Sequence, residues 1–224
     1  MAKKIYLSPS SQPANTYASG STNEQEQCRK IARAAAEALE RCGFSVICGD
    51  SGTMYTRVAA SNKWGADLHV PIHTNACNKK VTGTRLMCSK KGGEGYNACK
   101  AIFDVLAPLT PGTSENISVH PELYEIKATD APCAYIEVDF HDVASVAKWI
   151  IEHVADIGEA IAKGICNYYG VTYKPTEATE AAEPAEKPKT IYRVQVGAFS
   201  VKRNAERLRD ELKGRGYSAF VVEE

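Results

Sequence analysis

Short apolar runs alternate near the start of the chain with longer segments whose apolar residues recur every three or four positions, and this alternation constrains the fold more than any other feature. Lys4 to Leu7 is a short apolar run that passes into a polar, turn-rich stretch from Ser8 to Gly20. Cys28, Ile31, Ala35, Leu39 and Cys42 then recur at helical spacing until Gly43 stops the pattern. Ser21-x-x-Glu24 and Thr22-x-x-Gln25 resemble capping boxes at the start of this helix, which places Glu24 in its first turn. Phe44 to Cys48 predicts a second strand, Thr53 to Lys63 a second helix ending near Gly65, and Leu68 to His73 a third strand. Strands separated by helices in this order predict an α/β fold with a mostly parallel central sheet flanked by helices. The carboxyl ends of the strands then share one edge.

The pattern continues more sparsely. Thr82 to Ser89 predicts a strand, Tyr96, Cys99, Phe103 and Leu106 a helix, and Ala134 to Phe140 a last buried strand. Val146, Ile150, Val154, Ile157, Ile161 and Ile165 predict one long closing helix. Lys174 to Thr190 then holds three of the chain's ten prolines and almost no large apolar residue, so it reads as a linker that cannot bury enough surface to fold. Past it, Ile191 to Ser200 alternates like a strand, Ala205, Leu208 and Leu212 suit an amphipathic helix, and Tyr217 to Val222 reads as another strand. The expected organisation is an α/β domain over residues 1–173, a linker over 174–190 and a small, incomplete α+β module over 191–224. That module is too short to build a comfortable core alone.

Twenty-seven basic residues balance 27 acidic ones, so no summed field recruits nucleic acid or an anionic membrane. No apolar stretch reaches the roughly 18 residues of a membrane span, and the opening MAKKIYLSPSS lacks the apolar core of a signal peptide. The expectation is synthesis without a signal peptide. The eight cysteines are scattered without a CxxC pair, mostly inside apolar runs, and read as reduced core residues. Neither a nucleophile elbow nor a phosphate loop is present, which argues against other hydrolytic α/β enzymes.

Chemistry-bearing residues gather at three places, each just past or at the carboxyl end of an expected strand, where open α/β sheets hold their ligands. These are Ser8 to Glu24, Pro71 to Ala76 and Tyr135 to Asp142. In this order they resemble the zinc-dependent N-acetylmuramoyl-L-alanine amidases. In that family one histidine ligand follows the first strand in a Gly-His-Gly turn, and a glutamate opening the first helix is a second ligand. A third ligand lies in Ser-Ile-His-x-Asn-Ala, and a catalytic glutamate in Glu-x-Gly-Phe. Pro71-Ile72-His73-Thr74-Asn75-Ala76 is the most specific match, with Pro71 where serine is usual.

The resemblance implies that His73 and Glu24 are zinc ligands, that Glu137 is the catalytic base and that Asn75 contacts substrate. Asp139 stands where the family has glycine, and aligning Ser8-Pro9-Ser10-Ser11-Gln12 on the first motif puts Ser11 in the histidine slot. The third ligand is then open among Ser11, Gln12 and His141, and zinc binding is expected to be weak or absent unless one of them completes the set. His69 lies roughly 13 Å from His73 at strand rise and reads as a core residue.

Tyr192 to Ser200, with Asn204-Ala205-Glu206 and Gly216-Tyr217, resembles the opening half of a SPOR domain, a module that binds glycan strands stripped of peptide. The half module is then truncated, completed by a second copy or vestigial, and unpaired strand edges would favour self-association. Together the two resemblances imply a peptidoglycan hydrolase, synthesised without a leader and reaching the wall by lysis or non-classical release. The alternative from another class is a degenerate amidase scaffold that binds or targets peptidoglycan without cutting it.

Overall fold

A computed structural model describes residues 2–176, 197–214 and 221. The first unit holds one six-stranded sheet with helices on both faces. In chain order it comprises β1 (Lys4–Pro9), α1 (Glu24–Arg41), β2 (Ser45–Cys48), α2 (Met54–Trp64), β3 (Leu68–Asn75), β4 (Arg85–Cys88), α3 (Glu94–Leu106), β5 (Asn116–Val119), α4 (Tyr124–Ala128), β6 (Tyr135–Phe140), α5 (Ala144–Glu152) and α6 (Val154–Tyr169). Among the described residues no helix is long and apolar enough to cross a membrane.

The sheet order is β2-β1-β3-β6-β4-β5. Strands β2, β1, β3 and β6 run parallel, β4 lies antiparallel to β6, and β5 is parallel to β4. The expected mostly parallel sheet is therefore present, with a reversed pair on one flank. Strands β1 and β3 are buried almost throughout, which is why their sequences read as continuous apolar runs.

Helix α1 starts one step later than the capping boxes suggested. Asn23 is the N-cap, and its side chain accepts a hydrogen bond from the Glu26 amide at 3.0 Å. Thr22 instead donates to the Glu26 carboxylate at 2.8 Å. Cys28, Ile31, Ala32, Ala35, Ala38 and Leu39 form the buried face of α1. The expected single closing helix is two helices, broken at His153, whose backbone leaves helical geometry at φ −118° and ψ 25°. Its ring folds back to Trp149, with Nδ1 2.8 Å from the Trp149 carbonyl oxygen and the two rings stacked. Apolar periodicity does not register such a break, because both pieces present apolar residues to the same core.

Glycines on α6 let helices approach one another closely. A Cβ at Gly158 would stand 2.5 Å from the Ala34 Cβ, and one at Gly164 would stand 2.4 Å from the Ile102 Cα. Gly158→Val should therefore lower unfolding free energy by at least about 2 kcal/mol in denaturant melts, because rigid helix backbone must retreat. An unchanged midpoint would show that the interface yields freely.

The eight cysteines are free thiols, and six are buried. In the second unit, α7 (Lys202–Gly214) covers the helix expected around Ala205, Leu208 and Leu212. Most of the linker expected over 174–190, and most of the strands expected over 191–200 and 217–222, lie outside the described residues.

Candidate active site

The site grows from the two middle strands of the sheet. β3 and β6 pair in parallel with His73 directly beside Glu137, so both side chains project from the same face. The neighbouring pair, Ile72 and Ile136, is fully buried on the other side. A register irregularity after His73 brings Asn75 opposite Phe140. The Asn75 carbonyl accepts from the His141 amide at 2.8 Å, and its side chain accepts from the Ala76 amide at 2.8 Å.

Glu24 enters from the first turn of α1. Its Oε1 lies 2.8 Å from Nδ1 of His73, and Oε2 accepts from Asn15 at 2.6 Å. Burial alone would push the Glu24 carboxyl up. Hydrogen bonds from His73, Asn15 and Ser10, with the His73 charge, outweigh burial and hold it below its ordinary value. Burial would likewise lower His73, yet the bond to Glu24 and the negative charges of Glu137 and Glu24 raise it. The contact thus favours a carboxylate on Glu24 and an imidazolium on His73.

Glu137 is different. The residue keeps some exposure, but its Oε2 is sealed from solvent and has no hydrogen-bond partner. Burial raises its carboxyl from 4.5 to about 7, with the Glu24 charge adding to the rise and the His73 charge opposing it. Arg85 is its register partner on β4, but the guanidinium lies over the Phe140 ring at 5.4 Å. A carboxyl near neutrality beside a charged His–Glu pair has the proton affinity of a general base working near pH 7.

The expected third-ligand candidates are not equivalent. Ser11 and Gln12 line a cavity of about 440 Å³ together with His73. Gln12 Nε2 is 3.5 Å from His73 Nδ1, and its amide oxygen accepts from Asn15 at 3.0 Å. His141 does not line the cavity: its Nδ1 lies 2.9 Å from the Thr74 hydroxyl and 3.0 Å from the Thr74 carbonyl, and its ring stacks on Tyr17.

A catalytic zinc takes three protein ligands, and those on one tetrahedral ion stand about 3.3 Å apart at ordinary bond lengths. Here Glu24 Oε1 and His73 Nδ1 lie 2.8 Å apart, closer than two ligands of one ion, and no group of three His, Cys, Asp or Glu able to hold a metal occurs among the described residues. As arranged, this donor set does not fit a three-ligand zinc site.

Asp139, where the resemblance expected glycine, is a loop anchor. It is fully buried, and its Oδ1 accepts from the Gly83 and Phe140 amides at 2.7 Å each. Asp142 does similar work on the loop after β3, accepting from the Cys77 and Lys79 amides.

Sequence reasoning missed Glu125. It lies on the short helix α4, lines the cavity, and its Oε1 accepts from Ser8 at 2.5 Å and lies 3.1 Å from Nε2 of His69. His69 is fully buried, as expected, and its Nδ1 reaches the Ser61 hydroxyl at 3.0 Å. Ser8 and Ser61, at the two ends of this chain of polar groups, are fully buried as well. Nothing near Glu125 in sequence signals it, because its partners come from β1, α2 and β3. Arg57, also 2% exposed, donates to the backbone carbonyls of Pro9, Ser51 and Gly52, tying the loop after β1 to the start of α2.

Comparison with known proteins places both parts of the chain among families of known description. The model of the N-acetylmuramoyl-L-alanine amidase family matches residues 10–167, and that of the SPOR domain matches residues 188–224. An uncharacterized 38.4 kDa protein of Clostridium perfringens is 28% identical over 159 residues, which cover 66% of this chain and 46% of that protein. The chain thus spans about half the length of that relative. The sporulation-specific N-acetylmuramoyl-L-alanine amidase of Bacillus subtilis is 24% identical, with 98% of this chain and 84% of that protein covered. Among solved structures, the catalytic domain of the amidase CwlV from Bacillus (Paenibacillus) polymyxa superposes with a TM-score of 0.68 at 17% identity, covering 77% of this chain and all of that one. With its family model spanning most of the sheet and every residue of the central site, the chain belongs to the N-acetylmuramoyl-L-alanine amidase family.

Proposed function

We propose that the chain hydrolyses the amide bond between N-acetylmuramic acid and L-alanine in peptidoglycan, with Glu137 as general base. The observation that carries this reading is the Glu137 carboxyl, raised to about 7, on the strand beside the charged His73–Glu24 pair. In the ionised form it takes a proton from water as the water oxygen attacks the carbonyl carbon. It then returns the proton to the L-alanine nitrogen as the carbon–nitrogen bond breaks. His73, held cationic by Glu24, supplies positive charge where the carbonyl oxygen becomes negative. Ser11 and Gln12 form the wall of the cavity beside it, and Asn75 borders the bulge at the end of β3.

The family is generally zinc-dependent, and a bound zinc would polarise the carbonyl and acidify water. Glu24 and His73 are the residues here that would hold one. With serine at position 11, we infer that zinc binds this chain weakly or not at all. The SPOR-like segment supports retention of the chain on glycan strands and hence action at the cell wall.

The missing third ligand also favours a second reading, in which the scaffold binds peptidoglycan without cutting it. Stem-peptide release from purified walls, measured beside the zinc content of the full chain, separates the two. Release establishes the hydrolase, and absence of release at every zinc concentration leaves the binder.

A further inference from the structure

We propose that the rim made by Tyr55 and Tyr124 is the seat of the glycan strand, so that the sugar arm of the substrate, and not its stem peptide, runs along this end of the cavity. The inference rests on reading the cavity as a peptidoglycan site.

Among the described residues of the first unit four large apolar side chains are exposed, namely Met54, Tyr55, Val119 and Tyr124, and three of them line this one cavity. Tyr55 is 56% exposed and Tyr124 37%, although their rings meet edge to face at 4.6 Å. They stand at the N-terminal ends of α2 and α4, and the cavity runs from them to His73. Glu137 does not itself line the cavity, but its register partner His73 does, and on this reading a substrate held beside His73 lays one arm against the rim.

Charge decides which arm. A stem peptide carries free carboxylates beyond its first residue, whereas the N-acetylated glycan of an uncleaved strand is neutral, because its lactyl carboxyls are held in amide bonds to the peptide. The two cations lining the cavity are both engaged: Arg57 donates to three backbone carbonyls, and His73 is paired with Glu24. The same wall carries Glu125, whose carboxyl burial would raise but which hydrogen bonds from His69 and Ser8 and the charge on His69 hold below its ordinary value. A carboxylate arriving here meets an anion and no available cation. A sugar instead offers apolar CH faces to the tyrosine rings and hydroxyls to their phenol groups, the pairing that amphipathic aromatic rings serve.

The test is titration of the 15N-labelled full chain with a neutral N-acetylglucosamine tetrasaccharide, which has no lactyl carboxylate, and, separately, with free stem tripeptide, following the backbone amides of Met54, Tyr55 and Tyr124. The expected result is that the tetrasaccharide shifts these amides and the tripeptide does not. Tyr55→Ala and Tyr124→Ala should each raise the dissociation constant read at the remaining rim amides about tenfold. Both residues are exposed, so the variants should fold as the parent does. Shifts produced by the tripeptide, glycan shifts confined to residues 191–224, or a Tyr55→Ala/Tyr124→Ala double variant that titrates like the parent would each overturn the proposal. Turnover is not needed for any of these readouts. A chain that releases no stem peptide while its rim takes glycan would sink the hydrolase reading and leave this one standing.

Discussion

Glu137→Gln is expected to lower stem-peptide release by roughly a thousandfold, the scale on which a positioned base contributes, while making the folded chain more tolerant of alkaline pH. The second half follows from burial. The Glu137 carboxyl titrates at about 7 in the fold against 4.5 for the unperturbed group. Below 4.5 it is protonated in both states and costs nothing. Between 4.5 and about 7 the unfolded chain releases a proton that the folded chain retains, so stability falls as pH rises. Above about 7 the loss is complete, on the order of 3 kcal/mol. Glutamine has no such proton, so the parent should lose about that much more stability than the variant between pH 4 and pH 8, read from denaturant midpoints. The parent's activity should rise through the same pH region as the base ionises. Parallel pH–stability curves would mean that the carboxyl is solvated and the base assignment unsupported; undiminished release would reject the assignment directly.

Ser11→His should have the largest effect of the opposite sign. Ser11 lines the cavity with His73, and under the proposed alignment it stands in the family's histidine slot, so an imidazole here would complete a set of three protein ligands with Glu24 and His73. Zinc bound after gel filtration should rise to about one ion per chain, with an affinity at least 100-fold above the parent's, and stem-peptide release should rise with it. Chelator should then lower the melting temperature of the variant more than that of the parent. A parent already carrying a full equivalent of zinc would show that Gln12 or another group completes the site. A variant that binds none would show that the loop after β1 cannot present its side chain to His73.

Much of the fold was legible because the elements around the site are long and strongly patterned. The run from β1 to β3 shows continuous apolar strands between helices of period 3.6, and its helix stops at Gly43 and Gly65 are both left-handed in the structure. Strand β5, with four residues and none of them buried, gives almost no periodic signal, and α4 is a single turn and a half. The reversed direction of β4 is equally invisible, since a short strand has the same alternation either way. In the site, Glu24, His73 and Glu137 were visible through motifs that hold residue type and spacing together. Glu125 was not, because it meets Ser8 across 117 residues of chain. The tyrosine rim escaped for a related reason: Tyr55 and Tyr124 become neighbours only when two helix starts converge.

His73 and Glu137 sit on the two interior strands of the sheet, each bonded to neighbours on both sides. Their spacing is therefore fixed by backbone ladders, whereas Ser11, Gln12 and the tyrosines belong to loops and helix starts. This is a division between a fixed tool and an exchangeable grip. Substitutions in the loops can change the metal requirement or the preferred wall polymer while the two central side chains keep their distance. On the proposed reading, a change at position 11 leaves untouched the sheet that carries His73 and Glu137.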